Sequence, residues 1–333
     1  MGANSDSSNV LTLADWAKRR DPNGKTDVIV ELLSQKNEIL DDLLWREANS
    51  TTGHKSTQRT GLPQAFWRKI NQGVPTSKST TVQIMDSCGM LETYSEVDKA
   101  LADLESDVAA FRLSESKAFL AGMSNQFAQT LIYGDTDNFP ERFNGLATRF
   151  NDVTAESGGQ IIDAGGTGLT NTSIFFGAWG ESTGFGIFPK GSKAGIIQTD
   201  KGQQTVLDDK DNRFEAYVSH FKWDCGLTIR DWRYFARIAN IDTSKLGAAG
   251  SGAYAGPDLI NMMIDGYNRV EDWNSGKGAI YVNRTIKTAL DKLAQSKANV
   301  NLTIEMYAGK PVTSFYGIPI RRVDAILNTE DKI

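Results

Sequence analysis

One stretch of the sequence, residues 49–81 (NSTTGHKSTQRTGLPQAFWRKINQGVPTSKSTT), carries Lys55, Arg59, Arg68, Lys69 and Lys78 and not one Asp or Glu. Its apolar residues are few (Leu62, Ala65, Phe66, Trp67, Ile70, Val74) and follow no helical period. So little apolar surface cannot offset the entropy of ordering the segment, which must either lie on another surface or stand in solvent. With Pro63 and Pro75 as breakers, the pattern predicts extended strands with turns at Gly61-Leu62-Pro63 and Gly73-Val74-Pro75. The flanks have the opposite charge. Residues 27–48 hold Asp27, Glu31, Glu38, Asp41, Asp42 and Glu47 against Lys36 and Arg46. Residues 92–115 hold Glu92, Glu96, Asp98, Asp103, Glu105, Asp107 and Glu115 against Lys99 and Arg112. A basic arm between acidic segments predicts electrostatic docking, on its own flank or on a neighbouring copy; the plain alternative is a solvated charged loop. Trp67 on this arm reads as an anchor for a neighbour's pocket, whereas most of the other tryptophans read as core. Lys55, Arg59, Trp67, Arg68, Lys69 and Lys78, with Trp16 near the N-terminus, are the candidate inter-subunit contacts.

The remainder of the 333 residues has material for a sizeable core, since 40% of the chain is hydrophobic and 23% charged. The formal charge of −5 argues against a dedicated duplex-DNA binder, which needs a basic footprint. Cys88 and Cys225 stand far apart, so neither a disulfide framework nor a cysteine-rich zinc module is expected, and a reducing compartment suits them. No apolar run approaches the ~18–20 residues that span a bilayer. MGANSDSSNV lacks the features of a signal peptide, so a soluble cytosolic product without membrane partners is expected.

Apolar spacing in 26–46 predicts a helix through Val28, Leu32, Leu33, Ile39, Leu40, Leu43 and Leu44. Residues 95–133 read as one long helix with Ser95 as N-cap, on the order of 55 Å at 1.5 Å per residue. The alternative is two helices broken near Leu113-Ser114. From 172 onward short runs rich in Ile, Phe, Tyr, Val and Trp predict strands. Helices are expected at 257–270 and 284–298, with strands closing the chain. The class is α+β.

Candidate chemistry is sparse. Gly24-Lys25-Thr26 lacks the glycine five residues earlier that a phosphate loop needs, because position 19 is Arg19. Gly165, Gly166 and Gly168 lack the third fingerprint glycine, Asn171 standing there, and read as a turn. Asp135, Asp137 and Asn138 lack the spacing of a calcium loop and read as a loop or cap. Asp208, Asp209 and Asp211 around Lys210 read as a solvated turn. His54 and His220 read as hydrogen-bonded structural residues, and neither cysteine has a neighbouring His. No catalytic, cofactor-binding or metal-ligating constellation is expected, and no cofactor. An arm, a basic hairpin, a very long helix and a β-rich body describe a self-assembling shell subunit better than an enzyme.

The inventory resembles the major capsid proteins of tailed bacteriophages, with the Hong Kong 97-type fold. LTLADWAKRRDPNGK, TGLPQAFWRKINQGVPTSKSTT, CGMLETYSEVDKALADL, LIYGDT, FNGLATRFN, IIDAGGTG, FGIFPKGSKAGI, RIANID and GIPIRRVDAIL resemble, in order, the capsid proteins of epsilon-fifteen-like short-tailed phages, from about residue 11 to the end. The resemblance implies an N-terminal arm over 1–48 and an extended E-loop over 49–90. It further implies a peripheral domain over 91–240 with its spine helix at 95–133, and an axial domain with the C-terminal return over 241–333. Residues 213–240 look like strands that close the chain in many relatives, so a rearranged strand order is expected. The implied function is a major capsid subunit that self-assembles, as hexamers and pentamers, into an icosahedral shell around packaged double-stranded DNA. Implied partners are a portal, a scaffold, a decoration or cement protein, and DNA held loosely. The implied location is the virion, after assembly in a bacterial host cytoplasm. Two readings from other classes stand beside it: a soluble enzyme with an unrecognised site, and a nucleic-acid-binding protein that uses the basic 49–81 arm.

Overall fold

The computed structural model describes residues 35–104, 107–208, 210–246, 258–294, 302–307 and 310–333. Trp16, Gly24-Lys25-Thr26, the first part of the helix expected over 26–46 and the end of the one expected over 284–298 lie outside the described residues. In chain order the elements are helix α1 (Ile39–Asp42), strands β1 (Trp45–Glu47), β2 (Gly53–Gly61) and β3 (Thr80–Asp98), and helices α2 (Lys99–Ala102), α3 (Val108–Tyr133) and α4 (Leu146–Arg149). Strands β4 (Ile161–Asp163), β5 (Asn171–Trp179), β6 (Gly184–Phe188), β7 (Ile197–Leu207), β8 (Arg213–Ile229) and β9 (Phe235–Asp242) follow. Helix α5 (Leu259–Arg269), strand β10 (Lys277–Val282), helix α6 (Arg284–Ala294) and strands β11 (Leu302–Tyr307), β12 (Lys310–Phe315) and β13 (Ile318–Arg322) close the chain. They form two compact units.

The larger unit comprises Gln35–Gly89, Ala128–Ala194 and Cys225–Ile333. Its main sheet runs β11-β12-β13-β10-β5-β9-β4. β5 and β9 are buried at every residue, so they carry no polar–apolar alternation and occupy central positions. Helices α5 and α6 cover the sheet: Leu259, Met263, Ile286 and Leu290 pack on Ile174, Phe176, Ile238 and Ile280. Both helices begin on the side chains that local sequence suggests. The Asp258 carboxylate accepts from the Asn261 amide at 3.2 Å and the Asn283 side-chain oxygen from the Ile286 amide at 2.8 Å. Glycine lets α5 approach the sheet, because a Cβ on Gly266 would fall 2.7 Å from the Phe176 ring. Residues 213–240, read together as one group of strands, divide: β8 belongs to another sheet, and β9 pairs with β5. This main sheet also joins residues from both sides of position 240.

The second sheet is ordered β1-β6-β8-β3-β2, with β7 on β8. The helix expected over 26–46 is reduced within the described residues to the single turn α1, and Trp45–Glu47 form a strand parallel to β6 instead. Pairing with β6 overrides the local leucine spacing. The Trp45 ring lies on Gly186, where a Cβ would come within 3.0 Å of it.

The smaller unit holds Met90–Phe127 and Gly195–Asp224. Here the long-helix expectation needs correction. Ser95 is no cap; it is buried within β3, Asp98 caps the one-turn α2, and α3 starts only at Val108, with the Asp107 carboxylate accepting from the Ala110 amide at 3.0 Å. The steps of four and three residues from Val97 to Leu101 to Leu104 suit a strand end plus one turn as well as a helix. No break occurs at Leu113-Ser114 either; α3 is continuous for 26 residues, roughly 39 Å. Val97, Leu101, Ala102 and Phe111 form a small core, and Phe127 packs on Trp223 with ring centroids 4.4 Å apart. Of the expected solvated turn between β7 and β8, Asp209 lies outside the described residues; Asp208, Lys210 and Asp211 are exposed, and the Asp208 carboxylate accepts from the Lys210 and Asn212 amides, each at 2.8 Å.

Candidate assembly surface

β2 and β3 form an antiparallel hairpin in register from Gly53 opposite Ser87 to Arg59 opposite Thr81, with a bulge before Gly61. Its base is fixed by buried polar groups. Asp86 accepts from Arg149 Nη2 at 2.7 Å and from the Thr228 hydroxyl, and Gln58 Nε2 donates to the Arg230 carbonyl at 2.8 Å. Beyond the base the character changes. Every residue from Leu62 to Gln83 is exposed, and the few bonds that shape the tip are local. Ser77 Oγ donates to the Gln64 carbonyl at 2.9 Å and the Gln72 amide to the Lys69 carbonyl at 3.2 Å. The tight turn therefore lies at 69–72, with Asn71 at φ 66°, and not at the two Gly-x-Pro sites, where no turn is formed.

Six of the seven candidate contact residues stand on this hairpin: Lys55 and Arg59 on β2, Trp67, Arg68, Lys69 and Lys78 in the tip. Trp67 is fully exposed (104%), and Ile70 and Leu62 nearly so (89% and 78%). Buried tryptophans such as Trp179 and Trp223 make the contrast plain. Among the described residues, no carboxylate lies within ion-pair distance of Arg59, Arg68, Lys69 or Lys78. Acids of the expected complementary flank are engaged locally: Glu92 with His220 at 3.0 Å and Lys222 at 3.6 Å, Asp103 with Lys99, and Asp107 on its helix end. A run of apolar and cationic side chains held out in water is the signature of a surface that another molecule covers.

Among the described residues, the other sites weighed from sequence are engaged in local hydrogen bonds. Asp135 accepts from the Asp137 amide at 2.9 Å and from Asn138 Nδ2 at 2.6 Å, a capped loop. Gly165, at φ 75°, turns the chain after β4, and the Gly166 amide donates to the Asn240 carbonyl at 2.8 Å. Among the described residues no three His, Cys, Asp or Glu side chains converge as a metal site. His220 bonds Glu92 and stacks on Tyr94.

His54 is buried at the hairpin base, 3.3 Å from Arg230 Nη2 and edge-on to Phe185. Because guanidinium only donates, Nε2 must accept, which places the proton on Nδ1. Burial, and then the Arg230 charge, hold its pKa below the usual imidazole value. A lowered folded-state pKa contributes stability that is present above the unfolded value near 6.5 and is lost as pH falls through the folded one. Urea midpoints of the subunit should thus decline below about pH 6.5, and His54→Gln should flatten that part of the profile. An unchanged profile in the variant would assign the acid sensitivity elsewhere.

The family model of major capsid protein GP7 matches residues 21–333. The chain belongs to that family. A chain from the structure of bacteriophage Epsilon15 is 42% identical to this GP7-family protein, covers 99% of both chains and superposes with a TM-score of 0.75. The bacteriophage JBD30 capsid is 8% identical over 89% of this chain and 93% of its own, with a TM-score of 0.50, and shares the fold alone. No curated protein matches the chain. This GP7-family member is thus a structural capsid subunit of the Hong Kong 97-type fold that self-assembles into an icosahedral shell and resides in the virion.

Proposed function

We propose that the β2–β3 hairpin is the E-loop by which each GP7-family subunit grips a neighbour in the shell, with Trp67 as its apolar anchor and Arg59, Arg68 and Lys69 meeting carboxylates of the adjacent copy. The observation that carries this reading is the unbroken exposure of residues 62–83 around a fully exposed tryptophan. A side chain that touches nothing in its own subunit contributes little to folding, yet it can anchor an interface. The N-terminal arm within 1–48, with Trp16, takes part in the same clasping. The acidic balance of the chain suits a shell that holds packaged double-stranded DNA loosely. A portal, a scaffold and a decoration protein complete the partners of this reading, and assembly takes place in the host cytoplasm.

The triple variant Arg59→Glu, Arg68→Glu, Lys69→Glu tests it, with Trp67→Ala alongside. Each exposed change should leave subunit stability within ~0.5 kcal/mol of the parent. Particle yield, measured by sedimentation and electron microscopy, should fall at least tenfold on the order expected when ~1.4 kcal/mol is lost from a contact. Undiminished particle yield from both variants would refute the role of the tip.

A further inference from the structure

β2 is the outer strand of its sheet, paired with β3 on one side only. Alternation decides which backbone groups its other side offers. In an antiparallel ladder the N–H and C=O of one residue point the same way, and successive residues point opposite ways. The Lys55 amide donates to Asn49 Oδ1 at 2.8 Å, and the Lys55 carbonyl accepts from Asn49 Nδ2 at 2.7 Å. Lys55 therefore faces outward, as do Thr57 and Arg59, while Ser56 and Gln58 face β3. At Lys55 the Asn49 side-chain amide stands in for a neighbouring strand. At Thr57 and Arg59 nothing among the described residues does, and a free strand edge is a template for another chain.

A cleft of about 980 Å³ runs beside this edge, with Arg230, Trp232 and Arg233 on its opposite wall. Arg230 is held in place without an anionic partner. Its Nη1 donates to the Glu181 carbonyl at 3.2 Å, its Nη2 meets His54, and its guanidinium lies 5.2 Å from the Phe185 ring centre. No carboxylate among the described residues lies within ion-pair distance of it. Arg233, by contrast, is gripped by both oxygens of Asp231, at 3.0 and 2.7 Å. Lys55 and Arg59 add to the positive balance; of the two acids in the lining, Asp231 is taken up by Arg233 and Glu156 remains. Gln58 Nε2, bonded to the Arg230 and Ile229 carbonyls at 2.8 and 3.3 Å, fixes edge and wall in register.

We propose that the outer edge of β2 receives an extended, carboxylate-bearing strand from a second copy of this chain, which pairs through its main chain with Thr57 and Arg59 and sets a carboxylate on Arg230. Charge identifies the occupant. Of the 36 basic residues five lie in 49–81, and of the 41 acidic residues none does, so the matching carboxylates belong to the rest of the chain. In a capsid the neighbour that every subunit meets is another copy. Main-chain pairing supplies affinity, and a charge-assisted bond to a pre-positioned guanidinium supplies register. The site lies at the hairpin base and does not rest on the reading of the tip.

Amide hydrogen exchange on unmodified protein tests it. In free subunits the Thr57 and Arg59 amides should exchange fast; in particles they should slow at least ~100-fold, the effect of a bond worth about 2.7 kcal/mol. The Gln58 amide, bonded to β3, should be protected in both. Equal exchange at Thr57 and Arg59 in the two states overturns the proposal. Arg230→Gln particles should lose at least ~10-fold of that protection; full retention removes the carboxylate from the argument. A photo-crosslinking residue in place of Thr57, in particles mixed from light and heavy isotope subunits, should give mixed-isotope adducts to a segment containing Asp or Glu. Adducts within one copy, or to another protein, overturn the choice of occupant. If the tip variants assemble normally, these measurements still decide the edge on their own.

Discussion

Arg237→Ala should lower the unfolding free energy of the subunit by ~3–5 kcal/mol, the usual cost of removing one partner of a buried ion pair. Arg237 sits mid-strand in β9, 3% exposed, and its guanidinium ties four segments together. Nη2 meets Glu330 Oε2 at 2.9 Å, Nε donates to Ser173 Oγ at 3.0 Å, and Nη1 donates to the Phe150 carbonyl at 2.8 Å and the Ala147 carbonyl at 3.3 Å. The Tyr133 hydroxyl donates to the other Glu330 oxygen, and burial followed by the Glu330 charge keeps that phenol far from ionising. Alanine would leave a buried carboxylate with no cation and take the guanidinium donor from the Phe150 carbonyl, while the Ala147 carbonyl keeps the Phe150 amide. Urea unfolding measures the loss, and a change under ~1 kcal/mol would contradict the account. The double change Arg237→Met, Glu330→Met should recover much of the deficit, because apolar groups of similar size need no partner.

Phe176→Ala should cost a similar ~3–5 kcal/mol by a different route. Phe176 is 1% exposed in β5, its ring lies against Gly266 of α5, and Trp273 approaches it edge-on at 6.5 Å. Removing the ring leaves a void between sheet and helix that the backbone cannot fill, since α5 is also seated by Leu259 and Met263. The midpoint of urea unfolding should move while its slope stays constant. Because the site lies in the core, refolded variant protein should still form particles; particles lost with stability intact would place Phe176 in assembly instead.

Strands rich in Ile, Phe and Trp were legible in the sequence. FARIANID and NTSIFFGAW read as strands despite the polar Arg237, Asn240 and Asn171, whose burial composition does not announce, and RTIKTALDKLA after Asn283 carries both its apolar stripe and its cap. The exposed arm was legible for the opposite reason, since 49–81 has too little to bury. Segments whose pairing lies far away were not. Trp45–Glu47 became a strand because β6, some 140 residues on, offers Gly186 to the indole. Residues 95–98 stayed in β3 although their spacing continues a helical stripe. Ser95 and Val97 are buried there. The Arg237–Glu330 pair spans 93 residues and the outward groups of Thr57 and Arg59 depend on strand parity, and neither leaves a mark in local composition.

The interleaving of charge with grease on the 62–79 tip has a bearing on solubility. A lone subunit in solution holds Leu62, Trp67 and Ile70 out as adhesive, yet Arg68, Lys69 and Lys78 make two such tips repel each other, as gatekeeper charges do beside aggregation-prone stretches. The guard is electrostatic, so strong brine, with its Debye length near 3 Å at 1 M, dissolves it. Stocks of unassembled protein are therefore best kept dilute and at low ionic strength until shell formation is wanted.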